Sequence, residues 1–70
     1  MKISARNQFK GRVIKITHGA VNSEVVIQIA PGMEITAQIT TSSVQSLGLV
    51  EGGEAYALIK ADNVMLGVDH

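Results

Sequence analysis

From residue 21 to 29 apolar and polar positions alternate. Val21, Val25, Ile27 and Ile29 fall on one phase; Asn22, Glu24 and Gln28 fall on the other, with Val26 the exception. A period of two is the signature of a strand with one face turned inward. Ala30-Pro31-Gly32 follows, and a Pro that fixes φ before a Gly that permits positive φ is a turn. Met33, Ile35, Ala37 and Ile39 then alternate with Glu34, Thr36, Gln38 and Thr40, so residues 21–40 predict a hairpin. Upstream, residues 9–17 read as a strand whose phase slips: Phe9, Gly11 and Val13 share one face, Ile14 and Ile16 the other. A bulge near Gly11, or burial on both sides, accounts for the slip.

Residues 40–48 break the alternation. Thr41, Ser42 and Ser43 are each suitable helix N-caps, Val44 and Leu47 are spaced i,i+3, and Gly48 suits the position after a helix. One or two helical turns are predicted. Glu51-Gly52-Gly53 is a turn, residues 55–60 a strand with Tyr56 and Leu58 on one face, and residues 64–68 a last strand. The expected fold is all-β: a single domain over residues 1–70, a small five-stranded barrel of the oligonucleotide/oligosaccharide-binding (OB) kind. Its one short helix lies between strands 3 and 4.

Composition adds a constraint. Val, Ile and Thr make up 20 of 70 residues, which favours strands. A chain this short buries only ~60% of the surface it exposes when open. Such a core rarely supplies more than ~3–5 kcal/mol without disulfides, a metal or oligomerisation. There is no Cys, and a zinc site would have to come from His18, His70 and scattered carboxylates. A homo-oligomer is therefore expected. No apolar run is long enough for a membrane span, and the polar start lacks the apolar stretch of a signal peptide. The cytoplasm is the expected location.

Six basic residues balance six acidic ones, but unevenly. Lys2, Arg6, Lys10, Arg12 and Lys15 crowd the first fifteen positions, and every acid lies beyond position 23. Lys60 stands alone among Glu51, Glu54, Asp62 and Asp69. The fold can interleave these charges as ordinary surface pairs, or one basic segment plus Lys60 can form a localised anion site.

Catalytic templates are missing. The chain has no Cys nucleophile, no Gly-x-Ser-x-Gly elbow, no phosphate-loop lysine and no dinucleotide fingerprint, so an enzyme is not expected. Single-strand binders stack bases on aromatic side chains in a cationic groove. Only Phe9, Tyr56 and a net charge of zero are available here. What the chain does hold is hydrogen-bond donors: Ser4, Arg6 and Asn7 at the start, Thr40 to Ser43 before the helix, and Lys60 at a strand end. A tetrahedral oxyanion needs such donors and is repelled by carboxylates. Asp62 is the one acid adjacent to them, its direction not readable from sequence.

Four segments sharpen this: Ser4-Ala5-Arg6-Asn7-Gln8, His18-Gly19-Ala20-Val21-Asn22-Ser23-Glu24-Val25, Ile39-Thr40-Thr41-Ser42-Ser43, and Ile59-Lys60-Ala61 before Val64-Met65-Leu66-Gly67-Val68. Together they resemble the molbindins, the small molybdate-binding Mop proteins, over essentially the whole chain. The same domain recurs in molybdate-responsive regulators and molybdate transporter ATPases. The resemblance implies a five-stranded barrel assembled as a hexamer, a trimer of dimers, that stores and buffers molybdate or tungstate in the cytoplasm at sites between subunits. It assigns one site to Ser4, Ala5, Arg6, Asn7, Lys60 and Ala61, with Thr41, Ser42 and Ser43 supplied across an interface. It assigns a second site, near a threefold axis, to His18, Gly19, Val21 and Asn22. Ala61 stands where some members carry Ser, which removes a hydroxyl but leaves the backbone N–H. Two other readings compete: a biotinyl- or lipoyl-type carrier modified at Lys60, suggested by Ile59-Lys60-Ala61-Asp62, and an OB-fold nucleic-acid binder. The carrier domains lack the Ser-Ala-Arg-Asn start and hold their lysine near the chain centre.

Overall fold

The alternating segments become one antiparallel sheet. A computed structural model describes residues 1–69; His70 lies outside the described residues. In chain order the elements are β1 (Asn7–Thr17), β2 (Asn22–Ala30), β3 (Met33–Thr40), helix α1 (Thr41–Leu47), β4 (Glu54–Ile59) and a 3-10 turn over Ala61–Asn63. The strands run in the order β3-β2-β1-β4, each antiparallel to its neighbour. They form a half-barrel with α1 between β3 and β4 in sequence.

The β2–β3 hairpin turns at Pro31 and Gly32, where Gly32 takes φ 73°. The inward phase is as expected: Val25 and Ile27 are buried, and Ile35 and Ile39 are half-buried behind them. On β1 the register slips between Val13 and Lys15, so the bulged residue is Ile14, not a residue near Gly11. Gly11 has a different task. A β-carbon there would meet the Ile27 side chain and lie 2.6 Å from the Gln28 carbonyl oxygen. The bulge lies in the β1–β2 ladder; on the opposite edge of β1 the turn before β4 extends the pairing begun by β4. Val13 donates its N–H to the Gly53 carbonyl (2.8 Å), Gly52 donates to the Val13 carbonyl (2.7 Å), and Ile16 donates to Glu51 Oε2 (3.1 Å).

α1 is capped by Thr40, one residue earlier than the three candidates read from sequence. The Thr40 hydroxyl accepts from the Ser43 N–H at 3.1 Å. Gly48, at φ 65°, ends the helix in the left-handed region. Only Val44 of the expected apolar pair enters the core; Leu47 is exposed. The core is therefore small: Val13, Val25, Ile27, Val44 and Ala57, ringed by partly buried Ile16, Ile29, Ile35, Ile39, Leu49 and Ala55.

The expected fifth strand does not form within the chain, so the five-stranded barrel is corrected to a four-stranded half-barrel. Residues 64–68 run on from the 3-10 turn without strand pairing. The sheet ends in two open edges, β3 and β4, and residues 64–68 pair with neither. Met65, Leu66 and Val68 are consequently 92%, 94% and 75% exposed. The chain's accessible surface is 5567 Å², about a third more than the ~4,200 Å² of a compact monomer of this mass. Its radius of gyration is 13.0 Å, against ~11 Å for a compact domain of this length.

Candidate functional site

Antiparallel pairing of β1 with β4 sets Asn7 opposite Ile59. The residues just before β1 and just after β4 must then emerge at the same end of the sheet. Ser4, Ala5 and Arg6 thus meet Lys60 and Ala61 across a gap of 54 or more positions in sequence. They line a shared pocket of about 520 Å³, with Ile3, Leu58 and Asp62 completing the wall. Arg6 and Lys60 bring two positive charges to it. Among the described residues, neither the Ser4 hydroxyl nor the Arg6 guanidinium has a hydrogen-bond or ion-pair partner in the protein, so both can donate to a ligand.

Two side chains shape this terminal segment without facing the pocket. Asn7 Nδ2 donates to the Ile59 carbonyl at 3.1 Å and ties the start of β1 to the end of β4. Gln8 Nε2 donates to the Ala5 carbonyl at 2.7 Å and bends the segment back. After β4 the chain turns at once: the Asn63 N–H reaches the Lys60 carbonyl at 3.0 Å. Asp62 is thereby brought alongside Lys60, with Oδ2 4.0 Å from Nζ.

The remaining expected residues gather elsewhere. β2 pairs with β3 with Asn22 opposite Thr40, which places the 18–22 loop against the head of α1. Thr41 donates its N–H to the Val21 carbonyl (2.8 Å) and its hydroxyl to the Gly19 carbonyl (2.7 Å). The Gly19 N–H reaches Ser23 Oγ at 3.3 Å, and Ser23 Oγ lies 2.8 Å from Thr41 Oγ1. The Thr41 proton is directed at Gly19, so Ser23 must be the donor to Thr41. These hydrogen bonds link Gly19, Ser23 and Thr41, with both hydroxyl protons committed inside the protein. A β-carbon at Gly19 would collide with the Asn22 carbonyl. Ser42 and Ser43 face the Thr40 hydroxyl at 3.3 and 2.7 Å. His18, Val21 and Asn22 are exposed on this loop.

Within one chain the donors fall into two clusters, and Thr41, Ser42 and Ser43, expected at the first site only from across an interface, lie beside the second. Ser4, Ala5, Arg6, Lys60 and Ala61 form one cluster; His18, Gly19, Val21, Asn22 and the Thr41–Ser43 hydroxyls form the other. Ser23 escaped the sequence reading although it organises the second cluster and is only 2% exposed. Its signal was present: a polar residue on the inward phase of β2. Phe9 pairs with Ala57 and Tyr56 with Lys10, so the two aromatic residues sit on alternate phases of the β1–β4 ladder; both border a small surface pocket with Met1, Gln8 and Lys10. No group of His, Cys, Asp or Glu among the described residues is arranged to hold a metal cation. No described helix is long and apolar enough to cross a membrane.

Residues 3–66 match the sequence model of the TOBE domain. A probable molybdenum-pterin-binding protein of Haemophilus influenzae is 49% identical over 69 residues, covering 99% of this chain and all of that protein. The solved structure of a molybdate-binding protein from Sporomusa ovata superposes with a TM-score of 0.89 at 38% identity, covering 97% of this chain and all of that one. The cytoplasmic molybdate-binding protein ModG, solved with molybdate bound, superposes with a TM-score of 0.92 at 48% identity; the match covers 99% of this chain and 49% of that one.

Proposed function

This chain belongs to the TOBE-domain family, and from that premise we propose that it binds molybdate or tungstate reversibly, without catalysis, as a cytoplasmic store and buffer. The observation that carries the reading is the convergence of Ser4, Ala5 and Arg6 with Lys60 and Ala61 on one pocket. Arg6 and Lys60 neutralise the dianion; the Ser4 hydroxyl and backbone N–H groups orient it. The covering of whole relatives by this chain supports the transfer, since relative and chain are the same length of polypeptide.

The binding form is a homo-oligomer, a hexamer built as a trimer of dimers. Two features support assembly. The pocket lies open at the surface of the chain, and residues Thr41, Ser42 and Ser43 of a neighbouring subunit close it. The exposed segment 64–68 pairs with a second copy and becomes the fifth strand, which gives the full five-stranded barrel in the assembly. His18, Gly19, Val21 and Asn22 face the threefold axis as a second oxyanion site.

Titration calorimetry with molybdate, run beside native mass spectrometry with and without the ligand, tests this. A hexamer that takes up molybdate, and loses affinity on Arg6→Ala and on Lys60→Ala, is the expected result. Unchanged affinity in both variants overturns the site. An intact mass above that of the sequence would favour the carrier reading at Lys60.

A further inference from the structure

We propose that Asp62 sets the affinity of the terminal pocket by competing with the oxyanion for Lys60. The inference rests on the oxyanion reading above and adds to it a residue that the donor pattern did not include. Asp62 lines the same pocket as Ser4, Arg6 and Lys60. The 3-10 turn begun at Lys60 brings it there, and its carboxylate lies 4.0 Å from the Lys60 ammonium.

Count the charges that face the ligand. Arg6 and Lys60 supply two positive charges, which match a dianion. Asp62 subtracts one, so the dianion enters a pocket whose net charge is a single positive. A dianion such as molybdate carries no proton to share with a carboxylate, so nothing offsets the repulsion. The side chains of Lys60 and Asp62 are 75% and 73% exposed. An exposed pair of this kind is weak and opens readily when a better anion arrives. The displaced carboxylate still stands within a Debye length of the ligand, about 8–10 Å at ordinary ionic strength. Asp62 thus competes for the ammonium and keeps binding weaker than the donor set alone would make it. For a buffer this is useful, because ligand must leave as well as enter.

The test uses the full-length protein in its native assembly. Molybdate is titrated calorimetrically into the wild type, Asp62→Asn, Asp62→Ser and Asp62→Glu at low and at physiological ionic strength. Both neutral variants are expected to bind about three- to tenfold more tightly at low salt, the size of one charge acting over a few ångströms in a solvated pocket. Their advantage shrinks as salt rises, and their affinity falls more steeply with salt than the wild type's. Asp62→Glu keeps the charge and stays within about twofold of the wild type. A purely structural role for Asp62 would leave the salt dependence unmoved. Equal binding in both neutral variants overturns the proposal; weaker binding overturns it too, and would mean that the carboxylate positions Lys60 instead. A wild type that binds no molybdate overturns the oxyanion reading itself, and this role with it.

Discussion

The terminal pocket and the loop–helix cluster draw on the same chemistry of hydroxyls, backbone N–H groups and turns, but they are held in opposite ways. In the terminal pocket, Ser4 and Arg6 make no side-chain hydrogen bond or ion pair among the described residues; neighbouring Asn7 and Gln8 fix the backbone that presents them. In the loop–helix cluster, Gly19, Ser23 and Thr41 satisfy one another. A hydroxyl proton already directed at a carbonyl is unavailable to a ligand. Counting Ser and Thr therefore overstates the donors in the second cluster, and the first is where binding energy and folding energy are most cleanly separate.

The comparison can be broken from four directions. The largest effect is expected from ending the chain after Asn63. Residues 64–68 have no strand partner within the subunit, so β-structure by circular dichroism persists while native mass spectrometry shows the assembly reduced to smaller species. Retention of the hexamer would show that the tail is not the joint. Next, Lys60→Ala should weaken molybdate binding by about ten- to a hundredfold, the worth of a charge-assisted bond, with the thermal midpoint of the unliganded protein little changed because the side chain is exposed. A large loss of stability would erase the contrast between the clusters.

Ser23→Ala should do the reverse. Removing a buried hydroxyl leaves the Gly19 N–H without its partner and costs about 1–3 kcal/mol, which lowers the thermal midpoint by roughly 5–15 °C for a domain of this size. Molybdate affinity at the terminal pocket, measured well below that midpoint, should hold. The smallest effect belongs to Thr40→Ala, which removes the α1 cap at a cost of about 1 kcal/mol, readable as a shift in denaturant midpoint without change in slope.

Much of the fold was legible one element at a time. Alternation fixed which faces of β2 and β3 turn inward, Pro31-Gly32 marked the hairpin, and Gly48 marked the helix end. Legibility failed where a residue's role depends on a distant partner. The slip in β1 showed as a broken phase, but the bulge could be placed at Ile14 only once Val13 and Lys15 had paired with Ile27 and Val26 of β2. Leu47 repeats with Val44 at helical spacing, yet the core has room for Val44 alone. Segment 64–68 has a strand's composition, but pairing is a property of two segments.

The candidate site divides along the same line. By itself the sequence supplied the donor segments, the lone Lys60 among acids, and the expectation of assembly from too small a core. Those are properties of residue type and local spacing, which the chain carries before it folds. That Ser4–Arg6 shares a site with Lys60–Ala61 came from the resemblance and from no local spacing; tertiary structure alone decided that the Thr41 hydroxyl belongs to Gly19 and that Asp62 turns toward the ammonium. Each of these follows from closure of the β1–β4 and β2–β3 ladders, which brings together groups that no local periodicity relates.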